Sequence, residues 1–197
     1  MASPARARSP HLQPKDWIEA GFVRLSREGI DAVRVEVLAR DLGVSKGSFY
    51  WHFRDREDLL GRMLALWEAE EGSGKDEDAD SGSAATRWAR FIERTADPAR
   101  IQMEASLRAW ARRDEHVARR VAAIERKKAA RIADVLREVG FQAAAAESWS
   151  EVVLLVCLGW LDRATRDREF QISGRGLGEF LSETVLAASA RTSAGNR

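Results

Sequence analysis

A short stretch of this chain carries side chains that could recognise a polyanion: Lys46, Ser48, Tyr50, Trp51 and His52. Lys46 supplies a cation able to reach a guanine edge, and Ser48 supplies a hydroxyl for a phosphate or a base. Tyr50 and His52 could hydrogen-bond phosphates, while Trp51 could pack on a sugar or a thymine methyl. The chemistry is that of binding, and an aromatic patch used for protein contact is the alternative interpretation.

The residue types used in enzyme chemistry are scattered along the chain. His11, His52 and His116 lie far apart, and Cys157 has no neighbouring histidine. Neither a Gly-rich phosphate loop nor an HExxH pattern occurs, and a single cysteine excludes an internal disulfide or a cysteine-rich zinc site. We therefore expect no enzyme activity, no cofactor and no metal site, with Cys157 in the core and His116 at a solvated helix start.

Two helices joined by a tight turn must position the candidate binding residues. The first is anchored by Leu38 and Leu42 and must end at Gly43, where glycine permits a left-handed cap. Ser45 is a natural N-cap for the second helix. Gly47 keeps the start of that helix thin enough for close approach to a phosphate backbone. Such a pair of helices is typical of the helix-turn-helix motif.

The second helix is the candidate recognition helix. Phe49 and Phe53 recur at i, i+4 and are predicted to pack inward, which leaves their polar and aromatic neighbours outside. Asp55 is predicted to cap the next helix. Hydrophobic periodicity predicts a small four-helix head over residues 16–28, 35–42, 46–53 and 55–70.

The segment LARDLGVSKGSFYWHFRDREDLL resembles the N-terminal domain of the TetR (tetracycline-repressor-like) family of transcriptional regulators. The resemblance covers roughly residues 15–67 and is most specific over GSFYWHFRDREDLL. It implies an all-α fold, with a three- to four-helix helix-turn-helix head followed by a C-terminal bundle for ligand sensing and dimerisation. It also implies a ligand-responsive repressor that binds a palindromic double-stranded DNA operator as a homodimer and responds to an unidentified small-molecule effector.

The resemblance implies DNA contacts position by position. The implied DNA-binding residues are Arg34, Ser45, Lys46, Gly47, Ser48, Tyr50, Trp51, His52 and Arg56. Arg56 occupies the place of a common phosphate-binding lysine. Arg34 departs from the family pattern, in which Ser or Thr often caps the helix that begins near Val35. An arginine there could supply a salt-sensitive phosphate contact in place of the usual hydroxyl contact.

The distribution of charge is more informative than its sum, since the net formal charge is only +1. Basic residues surround the predicted head, whereas carboxylates are concentrated over residues 68–80. The longest apolar stretch, residues 152–161, is too short to span a bilayer. Residues 1–15 lack the apolar segment of a secretory signal. We therefore expect a soluble, cytoplasmic protein with no membrane association.

Five segments are predicted along the chain. They are a disordered basic tail (1–14), the DNA-binding domain (15–70), an acidic Gly/Ser-rich flexible linker (71–84), a ligand-binding and dimerisation domain (85–190) and a disordered tail (191–197). The linker is expected to be mobile because its composition cannot bury apolar surface. Beyond it, periodicity predicts helices over residues 85–95, 101–112, 115–140, 143–167 and 176–190.

A ligand cavity in the C-terminal bundle would be lined mainly by apolar and aromatic side chains. The candidates are Trp67, Trp88, Phe91, Met103, Leu107, Trp110, Trp149 and Trp160, with ordinary core as the alternative for each. Glu104 and Arg108 are interpreted as a surface ion pair, with polar groups of the cavity as the alternative. The basic stretch over residues 108–131 is interpreted as a solvated helix face, with a second nucleic-acid surface as the alternative.

Two late helices are apolar over a wide arc and must be covered on more than one side. A two-fold dimer interface is predicted from Trp149, Val153, Val156, Trp160, Leu177, Phe180, Leu181 and Val185, with the monomer core as the alternative. The rival to the whole functional assignment is a helical ligand-binding or protein-interaction module that retains the head as a scaffold without sequence-specific DNA binding.

Overall fold

The structure is a computed structural model that describes residues 12–72, 82–167 and 169–194. Over these residues it contains helices and no strand, which confirms the predicted all-α fold. The helices are α1 (Pro14–Glu28), α2 (Val35–Asp41), α3 (Lys46–Tyr50), α4 (Arg56–Gly72), α5 (Ala84–Ala96), α6 (Pro98–Ala111), α7 (Glu115–Glu138), α8 (Ala143–Arg166) and α9 (Gly174–Ala194). A single 3-10 turn, Ile30–Ala32, precedes α2.

Most helices begin and end within a few residues of their predicted bounds. The exception in the head is α3, which ends at Tyr50 with Trp51 as its C-cap. At the other end of the chain α9 continues to Ala194, so the tail predicted from residue 191 is helical as far as 194. Most of the predicted basic tail and the centre of the predicted acidic linker, residues 73–81, lie outside the described residues.

The chain divides into two compact units between Leu66 and Trp67, inside α4. An aromatic cluster forms the core of the N-terminal unit. The edge of Trp17 meets the ring of Phe49, with ring centroids 5.2 Å apart, and Phe49 stacks on Phe53 at 5.1 Å. Both phenylalanines are buried, as their spacing predicts. The core therefore fixes the inner face of α3 and leaves its outer face to solvent.

The turn between α2 and α3 depends on Gly43. Its φ of +67° lies in the left-handed region, which confirms the predicted cap. The N–H of Gly43 donates to the carbonyl of Arg40 at 3.2 Å, and the N–H of Val44 donates to the carbonyl of Ala39 at 2.9 Å. These bonds satisfy carbonyls at the end of α2. Asp55 caps α4 as predicted, since its Oδ1 accepts from the N–H of Asp58 at 2.8 Å.

The C-terminal unit is centred on α8. Ser150, Val153, Cys157 and Trp160 of this helix are buried. Among the described helices, α8 reaches the length and composition of a membrane span, with a mean hydropathy of 1.4. The apolar run over residues 152–161, on which the expectation of no membrane span rested, is too short for such a span; α8 as a whole, residues 143–166, is longer. Core helices of globular proteins meet the same criterion, and one face of α8 is buried in the C-terminal unit.

The start of α9 lies close against α5. A Cβ placed on Gly178 would lie 2.2 Å from Cγ2 of Ile92, and one on Gly174 would lie 2.9 Å from the backbone Cα of Ala96. Glycine at these two positions therefore permits the two helices to approach each other closely.

We predict that Gly178→Ala lowers the free energy of unfolding by about 1–3 kcal/mol, because the new methyl overlaps Ile92. Urea unfolding followed by circular dichroism measures this change. The matched control is Gly61→Ala in α4, where nothing lies within 4 Å of the added Cβ; there alanine should stabilise the helix by about 0.5–1 kcal/mol. Equal effects at the two positions would contradict the close packing of α5 and α9.

Candidate nucleic-acid interface and a charged cavity

Residues 45–52, termed here the recognition segment, contain seven of the nine predicted DNA-binding residues and occupy α3 and its two ends. Tyr50 and Trp51 are 61% and 87% exposed, respectively. Ser45, Lys46 and Gly47 are also exposed, while Ser48 and His52 are half-buried. Large aromatic side chains are seldom this exposed in a folded protein. Tyr50 and Trp51 directly follow Phe49, which is buried. The arrangement presents aromatic faces and hydrogen-bonding groups to a partner.

Lys46 forms an ion pair within the N-terminal unit. Its Nζ donates to Oε1 of Glu36 at 2.8 Å, and both side chains are more than half exposed. The hydrogen bond from Lys46 holds the pKa of the Glu36 carboxyl below its ordinary value. Exposed ion pairs contribute little stability. Lys46 can therefore exchange Glu36 for another acceptor at small cost.

Arg56, a predicted phosphate contact, makes hydrogen bonds within the N-terminal unit. Its Nε donates to the carbonyl of Val33 at 2.6 Å and its Nη2 to the carbonyl of Ile30 at 2.8 Å. The remaining Nη1 lies 3.6 Å from Oε1 of Glu57. The guanidinium is half-buried and ties the start of α4 to the turn that precedes α2. These acceptors are backbone atoms more than twenty residues away, which no local sequence pattern indicates.

Arg34 stands at the N-cap of α2 and gives that helix no side-chain cap. Its Nε donates to the carbonyl of Asp31 at 2.7 Å. The side chain is exposed, so the rest of the guanidinium faces solvent. The departure from a hydroxyl residue thus replaces a capping group with an exposed cation.

The C-terminal unit contains a cavity of about 140 Å³. Of the predicted lining residues, the structure places Trp88 and Phe91 of α5 at its wall. The six others are absent from the wall: Trp67, Met103, Leu107, Trp110, Trp149 and Trp160. Four of these six, Trp67, Leu107, Trp110 and Trp160, are buried, in agreement with the ordinary-core alternative.

Charged residues that the aromatic pattern does not indicate complete the cavity wall. Glu104 and Arg108 line the cavity, so the interpretation as a surface ion pair is wrong and the alternative is correct. Glu71, in the last turn of α4, is only 4% exposed and joins them, together with Lys128 of α7. A buried carboxylate is costly unless cations are paired with it. Glu71 lies beside several such cations, Arg94, Arg100 and Lys128.

The cavity carboxylates are held by a set of ion pairs. Lys128 Nζ lies 2.9 Å from Oε2 of Glu71 and also contacts Glu104. Arg108 Nη2 donates to Oε2 of Glu104 at 2.8 Å. Burial opposes ionisation of Glu104, but Lys128 and Arg108 outweigh that effect and lower its pKa to about 2. Glu104 is therefore an anion throughout the neutral range.

The basic stretch over residues 108–131 is not one solvated face. It spans the end of α6 and most of α7. Arg108, Lys128 and Arg131 line the cavity, and Arg120 forms an ion pair with Glu68. The other basic residues of the stretch, Arg112, Arg113, Arg119, Arg126 and Lys127, are exposed, in agreement with a solvated face.

The residues predicted to form a dimer interface are divided by the structure. Five of them pack inside the monomer core: Val153, Trp160, Leu177, Leu181 and Val185. Trp149 and Val156 are half-buried against the same core, and Phe180 is 60% exposed. The exposed large apolar residues of α8 are instead Val152 and Leu155.

The described residues contain no group of three His, Cys, Asp or Glu side chains placed to hold a metal ion. Cys157 is buried at the cavity wall, where burial raises the pKa of its thiol to about 12. His116 is exposed at the start of α7, and its backbone N–H donates to Oδ1 of the N-cap residue Asp114 at 2.9 Å.

Comparisons with known proteins agree with a helix-turn-helix in the N-terminal unit. Residues 18–63 match the family described as "Bacterial regulatory proteins, tetR family". The tetracycline repressor protein class A from transposon 1721 of Escherichia coli is 37% identical over 59 residues, which are 30% of this chain and 27% of that protein. The transcriptional regulator AcrR of Shigella flexneri is 34% identical over 47 residues, 24% of this chain and 22% of that protein. Over residues 18–63 the chain is therefore similar to regulators of the TetR family.

The curated relatives are matched over about a quarter of their own length. Solved structures extend the likeness in fold to both units. A transcriptional regulator from Saccharomonospora viridis in complex with choline has a TM-score of 0.73 at 16% identity, over 87% of this chain and 94% of that one. A regulator from Rhodococcus has a TM-score of 0.70 at 17% identity, over 88% and 94%. The fold is therefore shared well beyond the region of detectable sequence identity.

Proposed function

We propose that this protein is a DNA-binding transcriptional regulator, a repressor that binds a palindromic operator as a homodimer and responds to a small molecule. One observation carries the proposal: an exposed polar and aromatic recognition segment stands on a buried aromatic core within a helix-turn-helix. Phosphate contacts would fix the orientation of the head, and base-edge contacts would supply specificity. We place the protein in the cytoplasm, where chromosomal DNA is accessible.

Within this proposal residues 15–70 form the DNA-binding domain and residues 85–190 the ligand-binding and dimerisation domain. The DNA-contacting residues are Arg34 and the recognition segment, without Phe49. Lys46 would release Glu36 and reach a base edge. Arg56 acts indirectly, because its bonds to Ile30 and Val33 hold the start of α2 in place.

The proposed partner of α8 is a second copy of the same helix. Its exposed stripe contains Ser148, Val152, Leu155 and Gly159 at helical spacing, and Leu155 is 65% exposed. A stripe of small and apolar residues permits close helix packing, and exposed apolar patches mark interaction surfaces. Phe180 of α9 adds a large exposed apolar side chain to the same proposal.

We predict that Leu155→Glu converts the dimer to a monomer, because it places a charge in the centre of an apolar interface. Analytical ultracentrifugation of the full chain measures the dissociation constant of the dimer. An uncompensated buried charge should raise this constant by about a hundredfold or more. Val23→Glu, at an exposed apolar site on α1, is the control and should leave the dimer intact. A dimer unaffected by Leu155→Glu would place the interface elsewhere.

Ligand response would act through α4. This helix is continuous from Arg56 to Gly72, and Glu71 in its last turn lies at the cavity wall. A ligand that alters the ion pairs of Glu71 would tilt α4 and change the separation of two recognition helices, which must match DNA turns of about 34 Å. Only a ligand that prefers one of the two states can do so. The regulator from Saccharomonospora viridis, solved with choline, supports a small-molecule effector in this fold.

The test is selection of genome fragments by the purified chain at about 50 mM and about 200 mM salt. Six to ten phosphate contacts would cost roughly 10³- to 10⁵-fold in affinity between these conditions. Enrichment of one inverted repeat supports an operator-binding dimer. Salt-sensitive binding with no preferred sequence would reduce the proposal to a general DNA binder and contradict its specificity.

A protein-interaction module is the second candidate function. It is favoured by the pairing of Lys46 with Glu36 and by the engagement of Arg56 with backbone carbonyls, both of which reduce the cations offered to phosphates. Absence of DNA binding in the fragment selection, with and without small molecules, would favour this candidate.

A further inference from the structure

The cavity of the C-terminal unit has an excess of positive charge. Seven of its lining residues are arginine or lysine and three are acidic. Two of the arginines, Arg87 and Arg108, also pair with Glu138 and Glu125 outside the wall, so two positive charges remain in excess when these partners are counted. Cations brought together around a partly enclosed space repel one another, and low-dielectric walls strengthen that repulsion. The wall therefore favours the entry of negative charge.

The two most buried acidic groups of the wall already have cationic partners. Glu71 lies 2.9 Å from Nζ of Lys128 and 3.8 Å from Nη2 of Arg94, and it also contacts Arg100. Glu104 contacts both Lys128 and Arg108. A cationic ligand would have to displace these partners to reach a carboxylate. An anionic ligand would not have to displace the cations that pair with Glu71 and Glu104.

Arg108 offers a specific donor to such an anion. Its Nε donates to Glu125 at 3.2 Å and its Nη2 to Glu104 at 2.8 Å. Its Nη1 is buried and has no hydrogen-bond partner in the described part of the chain. A buried guanidinium donor without an acceptor is unfavourable. An anion that enters beside Arg108 would provide the acceptor that this nitrogen lacks.

The rest of the wall is apolar. Trp88, Phe91, Ile101, Ile132, Leu154 and Leu161 line the cavity. The indole of Trp88 is held in place, because its Nε1 donates to Oγ of Ser182 at 2.8 Å and its ring lies 5.8 Å from that of Phe91. A fixed aromatic pair is a suitable surface for an apolar ligand body.

We infer that the cavity binds an organic carboxylate with an apolar aromatic or aliphatic body, whose carboxylate lies among the cations around Arg108. The inference rests on the proposed function, since it names the class of effector for that regulator. The apolar body lies against Trp88 and Phe91. The affinity of the cavity for such a ligand depends on the negative charge of the ligand more than on the shape of its apolar body.

The test is a charge-matched panel titrated into the full chain by calorimetry and tryptophan fluorescence. The panel contains benzoate, 4-phenylbutyrate and decanoate, each beside the alcohol and the amine with the same body. At least one carboxylate should bind tenfold or more tightly than its alcohol and its amine. If no carboxylate exceeds its two counterparts, the inference is overturned.

A substitution locates the effect. Arg108→Gln should weaken the tightest carboxylate about tenfold and leave its alcohol unchanged, whereas Arg119→Gln, an exposed arginine paired with Glu115, should change neither. Equal losses for the acid and the alcohol would overturn the role of Arg108. If Arg108→Gln does not fold, Arg100→Gln replaces it, and the unmodified chain still decides the dependence on charge.

Operator affinity, measured separately without any ligand, distinguishes the two failures. Operator binding with no preference for carboxylates overturns the inference and leaves the proposed DNA-binding function standing. Preference for a carboxylate without operator binding supports the inference and contradicts the proposed DNA function.

Discussion

The double substitution Tyr50→Ala and Trp51→Ala is expected to weaken operator binding by about a hundredfold or more. Each side chain is exposed and free to contact DNA, and loss of one good base or backbone contact typically costs about 1–3 kcal/mol. The single variants should each lose about tenfold. Fluorescence anisotropy with the selected operator fragment measures these affinities.

The same double variant should keep its fold. Exposed side chains away from the core change the free energy of unfolding by about 0.5 kcal/mol or less. Val23→Ala, another exposed apolar side chain of the same unit, is the matched control and should alter neither stability nor DNA affinity. An operator affinity unchanged in a folded double variant would show that the recognition segment is wrongly assigned.

Glu104→Gln is expected to lower the free energy of unfolding by about 3–5 kcal/mol. The substitution leaves the cations of Lys128 and Arg108 without the carboxylate between them, and removal of one partner from a buried ion pair has an effect of this size. Urea unfolding monitored by circular dichroism gives the value. The matched control is Glu115→Gln, whose exposed pair with Arg119 should contribute less than about 1 kcal/mol.

The same carboxylate predicts a dependence on pH. The pKa of Glu104 falls from 4.5 to about 2 in the folded chain. Its contribution to stability is therefore complete above about pH 4.5 and is lost as the pH falls toward 2. The free energy of unfolding of the unmodified chain should decrease over this window, and the decrease should be smaller in Glu104→Gln. Parallel pH profiles for the two chains would contradict the ion-pair account.

The head could be predicted from sequence because its determinants are local. Gly43 requires a left-handed turn, Phe49 and Phe53 repeat at helical spacing, and Asp55 caps the helix that follows. Each of these features depends on residues within one or two helical turns. Arg56 could not be assigned in this way, because its acceptors are backbone carbonyls brought near only by folding.

The C-terminal unit shows a different limit. Helix positions could be predicted from periodicity, but the identity of the buried face could not. In α8 apolar residues lie on more than one side, so Val153 and Trp160 pack in the monomer while Leu155 faces outward. Glu104 and Arg108 have the spacing of a surface pair. Only the packing of α6 against α7, which brings Lys128 to them, makes that pair part of a cavity.

The proposed function requires that the recognition segment reads DNA sequence. The most direct measurement is titration of the selected inverted-repeat fragment and of a scrambled fragment of equal length and composition, each at several salt concentrations. We predict a preference of at least about 10³-fold for the inverted repeat and a linear fall of log affinity with log salt, with a slope of about −0.9 per phosphate contact. Equal affinity for the two fragments, or affinity independent of salt, would contradict the claim.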